Sequence, residues 1–167
     1  MSECIQTRRL VLRPFRDADA GRVAALIGDV SVSRWLTSVP HPYTPDNARA
    51  FFARHADQDM VFAVTSENDG LIGGCTIGAE LGYWLGQPHW GLGYAFEAAT
   101  AVVAHHFGRS QAALRSGYML GNQASARVLS KLGFVPTQID LAQCQATQTA
   151  VTVQKVELTH AAWQGAT

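Results

Sequence analysis

The chain has 167 residues, 47% of them hydrophobic, with thirteen basic against thirteen acidic side chains and so no formal net charge. That length fits one domain, residues 1–167, able to bury a sizeable core, and the charge balance argues against a general binder of nucleic acid or anionic membranes. No apolar run approaches the roughly 20 residues of a membrane helix, and the N-terminus lacks the apolar core of a signal peptide. Cys4, Cys75 and Cys144 are widely spaced and odd in number, which fits free thiols in a reducing compartment, so a cytoplasmic location is expected.

In chain order, Arg9–Phe15 alternates Leu10 and Leu12 against Val11 and Arg13 and predicts a first strand, ended by Pro14. Asp17 offers an N-cap to a helix carrying Val23, Leu26 and Ile27 and closing near Gly28. Residues 33–43 are irregular and rich in Pro, Trp and His. Thr44 followed by Pro45 is a strong helix start, and Ala48, Phe51, Phe52 and His55 recur at helical spacing. Val61–Thr65 and Leu71–Ile77 flank Glu67, Asn68, Asp69 and Gly70, which predict the tight reversal of a hairpin. Glu80–Leu85 adds a further strand. The helix that begins near Tyr94 is expected to carry Phe96, Ala99, Thr100, Val103 and Phe107 on one face. Ala112–Met119 reads as a strand, and Asn122 caps a helix with Ala124, Val128, Leu129 and Leu132 inward and Gly133 past its end. Phe134–Val135 and Val151–Leu158 are the last strands, with the polar stretch 138–149 between them unassigned. Strands in antiparallel succession, then one feeding a helix, give a mixed α/β sheet.

The strand at Leu81–Leu85 reaches the helix at Tyr94 through a glycine-rich turn. Gly91 and Gly93 lack a Cβ, so the backbone there can take positive φ and leave several N–H groups aimed at one spot, which the dipole of the next helix makes suitable for a phosphate. Neither familiar nucleotide loop fits. A P-loop requires Lys then Ser or Thr where Tyr94 and Ala95 stand, and a dinucleotide fingerprint requires Gly or Ala where Phe96 stands. A plain tight turn stays open on these residues alone. The histidines supply no metal-ligand spacing, His105 and His106 being neighbours that face apart on a helix, and no nucleophile elbow surrounds any serine.

The turn Trp90-Gly-Leu-Gly-Tyr-Ala-Phe-Glu-Ala98 is preceded by Gly82-Tyr83-Trp84 and followed by Asn122-x-x-Ser125-x-x-Val-Leu-x-Lys131-x-Gly133-Phe134. Together with Thr7-Arg-Arg-Leu-Val-Leu-Arg-Pro-Phe15 and Pro40-His-Pro-Tyr-Thr-Pro45, these motifs resemble the GNAT superfamily of acetyl-CoA-dependent N-acetyltransferases. Within it they are similar to the branch of ribosomal-protein N-terminal acetyltransferases, over essentially the whole chain. The resemblance implies a single α/β domain, with a mixed, mostly antiparallel sheet of roughly six or seven strands flanked by about four helices.

It also implies a reaction: an acetyl group passes from acetyl-CoA to a primary amine, of a protein N-terminus or of a small molecule, by direct attack through a tetrahedral intermediate and without a metal. A non-catalytic acyl-CoA-binding or sensing module is the alternative. By the same resemblance the backbone of Trp90, Gly91, Leu92, Gly93, Tyr94 and Ala95 holds the phosphates, although Trp90 stands where the superfamily usually has Gln or Arg. Trp84 and Leu85 lie beside the thioester, where the fourth and fifth strands splay apart. Asn122 contacts the pantetheine arm or orders those strands, unless it merely caps its helix. Ser125 is the expected acid for the leaving thiolate, with Tyr118 next in line, and a helix-start serine is the plain alternative. Glu80 is the one candidate base, against a solvated surface carboxylate. Residues 33–43 belong to the acceptor pocket or form a packed surface loop. Exposed Trp35 and Trp163 and the apolar C-terminal strand are expected to support a homodimer.

Overall fold

The computed structural model describes residues 3–167. One sheet takes β1 (Ile5–Gln6), β2 (Leu10–Arg13), β3 (Val61–Ser66), β4 (Gly70–Ile77) and β5 (Leu81–Leu85) in that order, each antiparallel to the next. A second places β8 (Thr149–Leu158) between β6 (Leu114–Met119) and β7 (Val135–Cys144), again antiparallel. The helices are α1 (Ala20–Ile27), α2 (Val30–Ser33), α3 (Pro45–Arg54), α4 (Tyr94–Phe107), α5 (Gln123–Leu132) and α6 (His160–Ala166). The expected α/β class holds, with eight strands in two sheets among the described residues rather than six or seven in one, and six helices rather than about four. None of the described helices is long and apolar enough to cross a membrane.

Helices cover both faces of the first sheet, so Val61–Val64 of β3 is a continuous buried run rather than an alternating one. Phe62 and Val64 pack with Leu10, Leu12, Ile72 and the α4 residues Ala99 and Val103, while Ala63 faces Val23, Leu26 and Ile27 of α1. Local chemistry sets the helix starts. Thr44 Oγ1 accepts from the Asn47 N–H at 3.2 Å and Asn47 Oδ1 accepts from the Thr44 N–H at 2.8 Å, a reciprocal cap with Pro45 at the first helical position.

Several expectations need correction. The buried stripe of α4 is Ala98, Ala99, Val102, Val103 and Phe107, whereas Phe96 is exposed in the first turn, with the Lys131 ammonium 5.7 Å from its ring centroid. On α5, Ala124 is exposed while Leu129 and Leu132 are buried. Within the unassigned stretch, residues 138–144 are strand, paired with β8 from Ile139 opposite Gln154 to Cys144 opposite Thr149. Trp35 and Trp163 are not free surface. Trp35 packs on the cluster of Met119, Cys144 and Val153, and Trp163 stacks on Phe107 at 6.1 Å between centroids. The exposed apolar side chains of the C-terminal sheet lie on its edge strand β7, where Leu141 is 83% exposed.

β5 and β6 are hydrogen-bonded neighbours in neither sheet. The buried Ser116 of β6 ties them, its Oγ donating to the Leu81 carbonyl of β5 at 2.8 Å. Ser116→Ala takes this donor from a buried carbonyl and is expected to cost about 1–3 kcal/mol of stability. A lower urea midpoint with an unchanged m-value is the expected reading, and an unmoved midpoint would mean that the tether contributes nothing.

Candidate active site

A cleft of about 2080 Å³ opens between β5 and β6, and its walls include the 35–43 segment, α3 and the first turns of α4 and α5. After β5 a short 3₁₀ turn, Gln87–His89, leads to Trp90, whose indole Nε1 donates to the Leu85 carbonyl at 2.8 Å and so closes the end of the strand. Gly91 and Gly93 have φ of +74° and +80°, conformations that a Cβ disfavours. Gly93 is the N-cap of α4 and brings no side chain to it, so the first-turn N–H groups lack a side-chain cap and a helix dipole points out of the loop.

The loop is held from outside by Arg9. Its Nη1 donates to the Leu92 carbonyl at 2.9 Å, its Nε to Glu97 Oε2 at 2.7 Å, and its guanidinium carbon lies 4.5 Å from the Tyr94 ring centroid. Glu97, in the first turn of α4, also accepts from the Arg9 N–H at 2.8 Å and from Thr7 Oγ1 at 2.6 Å. Burial disfavours the charged carboxylate of Glu97, but the hydrogen bonds from Thr7 and Arg9 and the Arg9 charge outweigh it and hold the group below the usual carboxylate range.

Across the cleft, Asn122 caps α5, its Oδ1 accepting from the Ser125 N–H at 3.2 Å. The Ser125 hydroxyl lies 2.9 Å from the hydroxyl of Tyr83 on β5, which also reaches the Ser125 carbonyl at 3.3 Å. Burial pushes the Tyr83 phenol up to about 12, against the opposing effect of the Ser125 hydrogen bond, so it stays a neutral donor. Tyr118 is half-buried on β6 and Trp84 half-buried on β5, both on the cleft wall. Glu80 also lines the cleft, paired with Lys155 of β8 at 2.7 Å. Among the described residues no group of three His, Cys, Asp or Glu side chains is placed to hold a metal ion.

A family model described as the acetyltransferase (GNAT) domain matches residues 9–135, and the match takes in both the Arg9 buttress and the glycine loop. The chain belongs to the GNAT acetyltransferases. Among similar proteins, the uncharacterized N-acetyltransferase p20 of Bacillus licheniformis is 28% identical over 119 residues, 63% of this chain and 66% of that protein. YoaA of Bacillus subtilis, also an uncharacterized N-acetyltransferase, is 26% identical over 155 residues, 80% of this chain and 84% of that one. The match to YkkB of Bacillus subtilis covers 32% of either chain, so the matched part of the chain spans from just under a third of one relative to 84% of another.

Solved structures agree in fold. A GNAT-family acetyltransferase from Bacillus anthracis superposes with a TM-score of 0.80 at 20% identity, over 95% of this chain and 99% of that one. Ribosomal-protein-S5-alanine acetyltransferase from Vibrio fischeri gives 0.76 at 18% identity, over 96% and 98%. Spermidine N-acetyltransferase from Vibrio cholerae, solved with CoA and spermine, gives 0.79 at 15% identity, over 95% and 99%.

On this GNAT scaffold the structure brings Trp84, Trp90, Gly91, Gly93, Tyr94, Ala95, Asn122 and Ser125 onto one cleft, with Tyr118 and Glu80 on the same walls. Sequence reasoning did not single out Arg9, Glu97 or Tyr83 as site residues, although each stands inside a motif it used. Glu97→Gln removes the charged acceptor of the buttress and is expected to cost about 1–3 kcal/mol at neutral pH. Because the folded carboxyl titrates below its unfolded value, its contribution is complete above roughly pH 4.3 and is lost as pH falls through the folded pKa. Wild type and variant, compared by denaturation from pH 7 to pH 3, should therefore converge at the acid end, and a gap independent of pH would contradict this origin.

Proposed function

We propose that the chain transfers an acetyl group from acetyl-CoA to a primary amine. The observation that carries the reading is the pair of positive-φ glycines at the uncapped start of α4, opening onto a cleft that also holds the Ser125–Tyr83 pair. Residues 90–95 suit a pyrophosphate, because backbone N–H groups and a helix dipole are there and the side chains are not needed for the contact. When bound, acetyl-CoA supplies the activated acetyl group.

The residues of the chain have separate tasks. The loop fixes the CoA end, and the backbone at Trp84 and Leu85 lies beside the thioester. The Ser125 hydroxyl, paired with the Tyr83 hydroxyl at 2.9 Å in the free chain, turns its hydrogen to the thiolate as the C–S bond breaks, and Tyr83 holds the serine oxygen in place. The amine must be neutral to attack and must give up a proton as the C–N bond forms. Glu80 is the proposed acceptor of that proton, and for this it has to share or leave its ion pair with Lys155. A non-catalytic acyl-CoA-binding module would bind the thioester and release no CoA, so CoA release with a panel of amines separates the two readings.

Gly93→Val forces a β-branched residue into left-handed backbone, with the position of the new Cβ 3.4 Å from Arg9 Nη2. It is expected to remove acetyl-CoA binding by calorimetry, and unchanged affinity in a folded variant would overturn the loop assignment. Ser125→Ala is expected to lower kcat by roughly 10- to 1,000-fold with little change in the KM for acetyl-CoA, and Tyr83→Phe to give a smaller loss in the same direction. An unaltered kcat in Ser125→Ala would return that serine to plain helix structure and make Tyr118 the next candidate.

A further inference from the structure

The wall of the cleft toward α3 is lined by rings. Gly74 of β4 has no side chain, and the place a Cβ would take is crowded by Trp84, with Nε1 2.7 Å away, and Phe15, with Cζ 3.2 Å away. Phe15 stacks on Phe52 of α3 at 4.8 Å between centroids and stands edge-on to Phe51 at 6.0 Å, and Phe51 lies 4.3 Å from the His55 ring. A row of aromatic groups thus runs from the end of β5 outward along α3. All five line the cleft and none is fully buried. The row is anchored, because Asp19 receives Arg13 Nη1 and Nη2 at 2.8 and 2.9 Å and the Arg16 N–H at 2.8 Å, clamping the corner that presents Phe15.

Charge on the same walls is lopsided. Arg54, Arg127, Lys131 and Lys155 are basic, whereas Glu80 and Asp140 are the acids. Both acids are engaged, Glu80 by Lys155 at 2.7 Å and Asp140 by Gln138 Nε2 at 2.9 Å. A polyamine needs several carboxylates at once and would meet net repulsion here. One ammonium on an apolar body meets less of that repulsion, since it brings a single charge that a ring face can receive and its apolar part is removed from water.

Resting on the acetyltransferase reading, we infer that the acceptor is a primary amine with one positive charge, carried on an aromatic or bulky apolar group. A free arylalkylamine and a peptide N-terminus that begins with an aromatic residue share this chemistry.

The test compares 2-phenylethylamine, a phenylalanyl dipeptide and spermine, by CoA release and by calorimetry on the CoA-loaded protein. At least one aromatic amine is expected to exceed spermine tenfold or more in kcat/KM, and the ratio of the first two distinguishes the sources. Phe52→Ala and the milder Phe51→Leu should each lower that advantage about tenfold, with acetyl-CoA affinity kept within twofold. Arg54→Glu, at an exposed position, should raise spermine relative to the aromatic amines. Spermine as good as the aromatic amines, or an aromatic advantage that survives both Phe substitutions, would overturn the inference while the acetyltransferase reading stands. If no amine releases CoA, that reading fails. The inference about the acceptor, which rests on that reading, is then overturned with it.

Discussion

The guanidinium of Arg9 joins segments 88 positions apart in the sequence, and the order of the glycine loop depends on it. A loop with two left-handed glycines has many unfolded conformations to lose and little intrinsic preference for the folded one. Arg9 narrows the choice by using one edge of its planar fork on Glu97, another on the Leu92 carbonyl and its face on Tyr94. A lysine, with a point charge and no fork, has no equivalent set of contacts. The arrangement also solves an electrostatic problem. Glu97 in the first turn complements the α4 dipole but on its own would repel an incoming anion, and pairing it with Arg9 leaves the positive helix end uncancelled. An anion then meets a loop already ordered, so less conformational entropy is lost on binding.

The division into two sheets performs the complementary task of making room. A single continuous sheet would fill the space between β5 and β6 with a hydrogen-bonded ladder. Instead Ser116 fastens the strands at Leu81, and the cleft opens beside that tether with its walls fixed by two well-packed cores. On β5, Leu81 and Leu85 are buried, while Tyr83 and Trp84, on opposite faces of the strand, stay half-buried and line the cleft. The residues proposed to flank the thioester therefore sit on a strand held by its neighbour β4.

What the sequence made legible was mostly chemistry between residues a few positions apart. The Thr44 cap with Pro45, the Asn122 cap, the left-handed Gly93 before α4 and the hairpin at Asp69–Gly70 are all local, so their signals survive without tertiary information. The contacts between Arg9 and Glu97 and between Tyr83 and Ser125 join distant segments, and nothing in one sequence states which residues meet. β7 was missed for a different reason. As an edge strand exposed along most of its length, it turns its large apolar residues Ile139 and Leu141 outward, and its order comes from pairing with β8. Phe96 misled because an apolar residue at helical spacing was assigned to the core, although the first turn of α4 belongs to the rim of the site.

Trp90 has a consequence of another kind. Of the four tryptophans, Trp35, Trp84 and Trp90 line the cleft, and Trp90 sits in the glycine loop, 42% exposed, with its indole N–H fixed on the Leu85 carbonyl. The ultraviolet emission of the chain is thereby concentrated where its ligands are expected to enter. Solvent relaxation around an indole whose orientation is pinned at one atom changes mainly when its open face is covered. The protein thus carries its own optical reporter, and occupancy of the two ends of the cleft can be followed in real time without attaching a dye.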